Sequence, residues 1–331
     1  MSDRQCTSGT PSAHSRRCGV KVLVTGGAGF IGTHVCRHLA AQPAVSEVVA
    51  LDDLSTGHRD GIDALRGVRL VRGSVLDTVV LRAAMADASS VVHLAARASV
   101  QASVTDPWTV HDVNATGTVL VLESARRLGV PHVVVASSSA VYGTAPSVAA
   151  EEAPLDPLSP YAAGKVAAEA YTTSFARSYG LAALTLRFFN VFGPRQAPTG
   201  SYAAVVPAFI SAALAGRPLT IYGDGRQTRD FVHVDYVART LVAAVLDRVV
   251  SDRPVNLASG RGTSLLELVA RLEKLLGREL PVVHAPTRPG EVRHSRADTH
   301  RLRELFGTLK PEDLATGLAH TLDWYRAASP R

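Results

Sequence analysis

Val20-Lys-Val-Leu-Val-Thr25 is a short, nearly unbroken apolar run. Such a run suits a strand buried on both faces, whereas a half-solvated strand would alternate. A glycine-rich turn follows, then a helical stretch from Phe30 to about Ala41. Further strands read at Glu47–Leu51, Arg69–Val71, Ser90–Leu94 and His132–Ser137, with helical segments near 78–85 and 106–128 between them. A helix from Tyr161 to Ser178 and a strand at Leu184–Arg187 continue the series. Strand and helix alternating across short linkers imply a parallel sheet with right-handed crossovers. The predicted class is therefore α/β, a doubly wound parallel sheet of the Rossmann type.

Beyond Phe189 the character changes to Gly/Pro-rich stretches alternating with helices at 203–215, 234–247 and 264–276. This organisation predicts a leader at 1–19, a sheet domain at 20–189 and a smaller α/β part at 190–331, with pieces of 220–260 returning to the sheet domain. The smaller part is expected to close over the end of the sheet.

Composition narrows the picture. The chain has 331 residues, 46% hydrophobic and 19% charged, enough for a core that needs no disulfide or structural metal. No uncharged apolar run approaches the roughly 20 residues of a membrane span. Cys6, Cys18 and Cys36 are odd in number and lack metal-ligand spacing, which fits a reducing cytoplasm. The formal charge of +6 has no Lys/Arg run behind it, so no nucleic-acid partner is expected. Part of that surplus sits in the Ser/Thr/Pro-rich leader, which has no apolar segment of a secretory signal.

The first candidate chemistry lies in the turn Gly26-Gly-Ala-Gly29-Phe30-Ile31-Gly32. Gly26 allows the tight turn, Gly29 lets backbone approach a pyrophosphate, and Gly32 lets helix and strand pack closely. Alone such a turn is weak evidence, but a strand precedes it, a helix follows, and Asp52 ends the second strand 20 residues beyond Gly32. A carboxylate there accepts both ribose hydroxyls and repels a 2′-phosphate, so the expected cofactor is NAD. His58 and Arg59 are nearby cations that leave NADP open. A second constellation is Ser138 at the end of the fifth strand with Tyr161-Ala-Ala-Gly-Lys165 opening a helix. Tyr161 and Lys165 share a helix face. An ammonium beside the phenol favours phenolate, so Tyr161 can act as general base, with Ser138 hydrogen-bonding the same substrate oxygen. Tyr-x-x-x-Lys by itself is a common accident; the glycine turn, the acid and the serine give it context.

At these residues the chain resembles the extended short-chain dehydrogenase/reductase family, in particular its nucleotide-sugar epimerases and dehydratases, and most of all its bacterial UDP-hexose 4-epimerase members. The matching stretches are collinear from Lys21 to about Arg326. They include Thr25–Gly32, Leu51–Gly57, His93–Ala96, Ser137–Gly143, Tyr161–Lys165, Leu186–Gln196 and Thr220–Phe231. The resemblance implies that Tyr161 takes the sugar hydroxyl proton with help from Ser138, while Lys165 binds the nicotinamide ribose and lowers the Tyr161 pKa. It implies cofactor contacts at Ser74, Val75, Leu94, Ala95 and Ala96, and substrate contacts at Ser99 and Ser139. Ser74 stands where the family usually has Asp, which implies altered affinity for the adenine end; Gly164 replaces a frequent Ser.

The reaction is narrowed by comparison with the family. Its 4,6-dehydratases carry an Asp-Glu pair where this chain has Ser139 and Ala140, and its decarboxylases carry Glu at the position of Ala140. Neither residue here can act as acid or base, so 4-epimerisation of a UDP-sugar is the implied activity. Asn190 matches the asparagine that contacts the diphosphate, Arg229 and Arg288 the arginines that clamp it, and Tyr222 the ring that stacks on uracil. Read alone, Asn190 is equally a turn residue, and Arg229 equally a partner for Asp230. Ser295 stands where members restricted to unmodified hexoses carry Tyr, so an N-acetylated sugar such as UDP-GlcNAc or UDP-GalNAc has room. UDP-glucuronate is disfavoured, because its epimerases carry Thr at the position of Asn190 and Arg at that of Ala197. An epimerase of a modified sugar, a 4-keto reductase or dehydratase variant, and a non-catalytic NAD-binding sensor remain the alternatives. A homodimer paired through the helices at 106–128 and 161–178 is a family expectation.

Overall fold

The computed structural model describes residues 19–144, 148–198, 204–287 and 292–328. Its strands in chain order are β1 (Val20–Thr25), β2 (Val45–Asp52), β3 (Val68–Arg72), β4 (Ser90–His93), β5 (Val133–Ser138) and β6 (Ala183–Phe188). They continue with β7 (Asn190–Phe192), β8 (Leu219–Tyr222), β9 (Thr228–His233), β10 (Val255–Leu257), β11 (Gly262–Ser264) and β12 (Val282–Ala285). Seven of them form one sheet in the order β3-β2-β1-β4-β5-β6-β10, parallel throughout. This is the doubly wound α/β architecture that the hydrophobic pattern predicts.

The apolar runs are unbroken because successive side chains enter two different cores. Val22 and Val24 of β1 point into a layer shared with helices Phe30–Ala40 and Val234–Leu246. Leu23 points into the opposite layer, with Leu81 and Met85 of helix Thr78–Met85 and Val121 and Leu122 of helix Gly117–Leu128. β2 divides in the same way, Val48 and Ala50 to one side, Val49 and Leu51 to the other.

The strand order reverses at β1, whose neighbours are β2 and β4, and the crevice at the carboxyl ends of these strands is the ligand position of such sheets. After β6 the chain builds a three-stranded sheet, β11-β9-β7, and a two-stranded one, β12-β8. Around them lies a separate core that includes Phe192, Phe209, Ile210, Phe231, Leu268 and Leu318. Helix Val234–Leu246 and β10 return to the large sheet, the helix packing on Phe30–Ala40 and the strand on β6.

The single helix expected at 106–128 is interrupted. Helix Pro107–His111 runs into a π turn at Asp112–Thr116 and then helix Gly117–Leu128. One widened turn hardly alters an apolar period, so the sequence pattern hides it. Two C-terminal helices, His300–Phe306 and Leu314–Ala328, lie beyond the last one expected. Among the described residues no helix is long and apolar enough to cross a membrane.

Behind β5 and β6 lies a buried ion pair. The Glu169 carboxylate accepts Arg187 Nε at 2.8 Å and Nη2 at 2.7 Å, and also accepts the Ser137 hydroxyl. Arg187 Nη1 donates to the Tyr142 hydroxyl, which donates in turn to Asn256 Oδ1. Removing one partner strands the other charge in the core. Glu169→Ala should therefore lower unfolding free energy by about 3–5 kcal/mol, read from the urea midpoint. Glu169→Met/Arg187→Met should cost less than that single change; a larger loss in the double variant would show that the pair is not mutually dependent.

Candidate active site

At the carboxyl ends of β1, β4 and β5 a cavity of about 770 Å³ opens, bounded on one side by the glycine turn. Gly26 has φ +67°, and a Cβ there would lie 2.7 Å from the Ala95 nitrogen. A Cβ on Gly32 would lie 2.1 Å from the Gly26 carbonyl oxygen, closer than any side chain tolerates. The absence of both side chains seats helix Phe30–Ala40 directly on the turn. No side chain caps that helix, and Gly29, Phe30, Ile31 and Gly32 all line the cavity. The first-turn N–H groups are thus available to an anion, which is the fit a dinucleotide diphosphate requires.

The Asp52 carboxylate, buried at the end of β2, accepts the Ala28 amide at 3.0 Å and the Leu54 amide at 2.8 Å. Burial pushes its pKa up, and those amides oppose the shift. Asp52 lines the cavity together with Ser74, Val75, Leu94, Ala95 and Ala96. Ser74 Oγ accepts the Leu76 amide, so this substitute for the usual Asp is used in a local turn. Arg59 pairs with Asp63 at 2.8 Å on the surface and is not part of the cavity wall, whereas His58 is.

His93, at the end of β4, fixes the segment that follows it. Thr118 Oγ1 donates to the Asn114 carbonyl and so accepts His93 Nε2–H at 3.0 Å, leaving Nδ1 to accept from Thr25 Oγ1 at 2.8 Å. Burial keeps the ring neutral, its pKa pushed down to about 3. Asn114, in the π turn, clamps the backbone of Arg97 by accepting its N–H at 2.8 Å and donating to its carbonyl at 3.1 Å. Asn114 is a residue that sequence reasoning missed. Its signal was an Asn inside a helical pattern, where its short amide competes with the backbone.

Ser138, Tyr161 and Lys165 all line this cavity. Ser159 caps helix Pro160–Tyr179 by accepting the Ala162 amide, and Pro160 occupies its first turn, which sets Tyr161 in the first turn and Lys165 one turn further along. The Ser138 hydroxyl, which accepts the Ala140 amide at 3.1 Å, favours the ionised form of the Tyr161 phenol. Lys165 Nζ donates to the Ala136 carbonyl at 2.8 Å. Burial lowers the ammonium to about 8, against the pull of Glu169 one turn on. The expectation that Lys165 lowers the Tyr161 pKa is not met in this geometry. Burial raises the phenol, Ser138 offsets part of that, and the ammonium is turned toward Ala136.

Two further cavities adjoin the first. One, of about 590 Å³, is lined by Asn190, Tyr222 and Arg229. The other, of about 310 Å³, is lined by Ser138, Ser139, Tyr161, Asn190, Arg229 and Ser295 among others. Asn190 borders all three, and it opens β7 rather than a turn. Asp230 is satisfied by the Ser259 amide and hydroxyl and by the Gly260 and Ala297 amides, which answers the alternative that Arg229 exists to pair with it. Ser99 is not brought to these cavities; its side chain caps helix Val100–Thr105 by accepting the Ala102 amide. Arg288 lies outside the described residues. Arg97, Arg195 and Trp324 line the 770 Å³ cavity and were not expected there.

A glycine turn at the switch point of a doubly wound sheet, beside a Tyr/Lys pair, defines a dinucleotide-dependent enzyme. The model of the NAD dependent epimerase/dehydratase family matches residues 22–258, and the chain belongs to that family. A UDP-glucose 4-epimerase of Mycolicibacterium smegmatis is 40% identical, over 94% of this chain and 100% of that protein. A dTDP-glucose 4,6-dehydratase of Streptomyces griseus is 36% identical, over 92% and 93%. Among solved structures, UDP-N-acetylglucosamine 4-epimerase from Methanobrevibacter ruminantium in complex with UDP-N-acetylmuramic acid superposes with a TM-score of 0.88 at 34% identity, covering 94% of this chain and 99% of that one.

The Lys165 ammonium carries a pH signature. Its pKa is about 8 when folded and the ordinary 10.5 when unfolded, so between those values the unfolded chain binds more protons. The cost of burying the charge is present in full below pH 8 and is relieved as pH rises toward 10.5. Compared with Lys165→Met, the wild type should gain a few kcal/mol of stability, on the order of 3, over that window in chemical denaturation. Parallel curves would place the ammonium in solvent.

Proposed function

We propose that the protein is a UDP-hexose 4-epimerase that accepts N-acetylated sugars, UDP-GlcNAc and UDP-GalNAc, as well as UDP-Glc and UDP-Gal. One observation carries this reading. Ser138, Tyr161 and Asn190 stand where the dinucleotide cavity meets the 310 Å³ cavity, and among the described residues no carboxylate lines the latter. Elimination of water from the sugar needs such an acid or base; reversible oxidation at a carbinol carbon needs only the phenol and the cofactor.

Each residue then has a task. The glycine turn and the helix behind it hold the NAD diphosphate, and Asp52 holds the adenosine ribose. NAD, when bound, supplies reversible hydride acceptance, which oxidises C4 and, on return to the opposite face, inverts it. Tyr161 takes the C4 hydroxyl proton and gives it back, with Ser138 as the second hydrogen-bonding partner of that oxygen. Lys165 binds the nicotinamide ribose and brings positive charge toward the phenol when its bond to Ala136 is exchanged for the ribose. Asn190 and Arg229 hold the UDP diphosphate, joined by Arg288, and Tyr222 stacks on uracil.

Room for an N-acetyl group is supported by Ser295 and by its small neighbours in the same wall, Ala140, Gly143 and Ala149. A second reading, UDP-glucuronate, is favoured by His294 and Arg296, which line that wall as well. Exposed Val104, Trp108 and Tyr171 lie on or next to the helices expected to pair, which supports a homodimer.

Incubation with UDP-GlcNAc, UDP-Glc and UDP-GlcA, followed by anomeric proton NMR, tests the activity. C4-inverted product is expected from the first two; none from any substrate, with NAD bound, contradicts the reading. Tyr161→Phe should reduce turnover by about 10³-fold or more and leave NAD binding intact; wild-type turnover would remove Tyr161 as the base. Ser295→Tyr should depress N-acetylated substrates far more than UDP-Glc, and equal losses would place Ser295 outside the sugar pocket.

A further inference from the structure

Arg195 is the third residue of a tight turn, Gly193-Pro194-Arg195-Gln196, closed by the Gln196 amide on the Gly193 carbonyl at 3.4 Å. Its φ is +69°, a left-handed backbone unfavourable for most residues with a Cβ; glycine, or asparagine through its short polar side chain, is the better-suited choice in such a turn. Both neighbours are pinned. His34 Nε2 donates to the Pro194 carbonyl at 2.9 Å, and the Tyr325 hydroxyl donates to the Gln196 carbonyl. A strained conformation fixed from both sides calls for a functional reason at the side chain it presents.

That side chain lines the 770 Å³ cavity together with the glycine turn, and its Nη1 would lie 2.6 Å from a Cβ on Gly61, which is itself packed on Thr33 of the first helix turn. Gly61 thereby leaves the space the guanidinium occupies. Arg195 is half-buried, yet it makes no hydrogen bond or ion pair among the described residues. Lys165 and Arg97 also line this wall. Lys165 is at the Tyr161 end, and Arg97 has its backbone clamped by Asn114 at the end of β4. The uncapped helix N-terminus alone offers partial charge to a ligand that carries two full negative charges.

The geometry points to Arg195 as a charged residue that closes over the dinucleotide diphosphate beside the first helix turn, making the 193–198 segment a latch for bound NAD. The fork supplies paired N–H donors to phosphate oxygens, and the pinned turn holds it in place before the ligand arrives. The proposal rests on the cavity being the NAD site and is independent of which sugar is epimerised.

Calorimetric titration of the full chain with NAD, ADP, adenosine and UDP tests it, using Arg195→Gly and Arg195→Asn, both of which suit φ +69°. Expected in both variants are affinities for NAD and ADP weaker by about tenfold, unchanged affinities for adenosine and UDP, and a ligand-free melting temperature that is equal or higher. The wild type should also lose more NAD affinity with added salt than the variants do. Equal NAD and ADP affinities across the three proteins overturn the latch, as does a loss confined to UDP. A wild type that binds neither NAD nor ADP fails in a different way, since it removes the cofactor reading on which the latch stands.

Discussion

The place a Gly32 side chain would occupy is filled by the carbonyl of Gly26. From that contact the rest of the site follows. It presses the first helix onto the turn after β1, aims the uncapped N–H groups into the cavity, and brings the turn against Ala95 at the end of β4. The sheet reverses its order at the same place, so the crevice is open there and closed by helices elsewhere. A single Cβ at either glycine would separate helix, turn and strand, and the diphosphate cradle with them.

Desolvation is the second organising force. Tyr161 and Lys165 are both buried, which raises the phenol and lowers the ammonium, so each resists the ionised form that proton transfer uses. Ser138 and Glu169 oppose these shifts. On the proposed reading, ligands that bring charge and hydrogen bonds into the site would offset these shifts. Lys165 bonded to the Ala136 carbonyl has a partner that a ribose hydroxyl can replace at little cost. The carboxylate one turn beyond it is anchored by Arg187 and Ser137, so the field behind the dyad is fixed by the core and not by solvent.

Much of this was legible in the residues. The unbroken run Val20–Thr25 announces a strand with two apolar faces, and the structure sends Val22 and Leu23 to opposite cores. Gly26, Gly32 and Asp52 were readable because each is required by backbone geometry at a fixed offset. Ser99 was misleading, because a serine before a helix caps it as readily as it binds a sugar. What depends on three-dimensional closure was not legible. The π turn at Asp112–Thr116 leaves the apolar period nearly intact, and the strain at Arg195 is a property of backbone pinned by His34 and Tyr325, far away in sequence. The Lys165–Ala136 bond is likewise invisible to a spacing rule that places Lys165 beside Tyr161.

The chain shares its family with epimerases and dehydratases, and the proposed reading between them rests on the 310 Å³ cavity, which no carboxylate lines among the described residues. On the proposed 4-epimerase reading, the same hydrogen leaves C4 and returns to it within one closed site, with Tyr161 handling only the hydroxyl proton. The most direct measurement is the fate of deuterium placed at C4 of UDP-GlcNAc or UDP-Glc during turnover in ordinary water. The account predicts that the inverted product keeps the deuterium at C4, with no solvent hydrogen incorporated at C4 or C5. Washout of the label from C4, or solvent hydrogen appearing at C5, would contradict it.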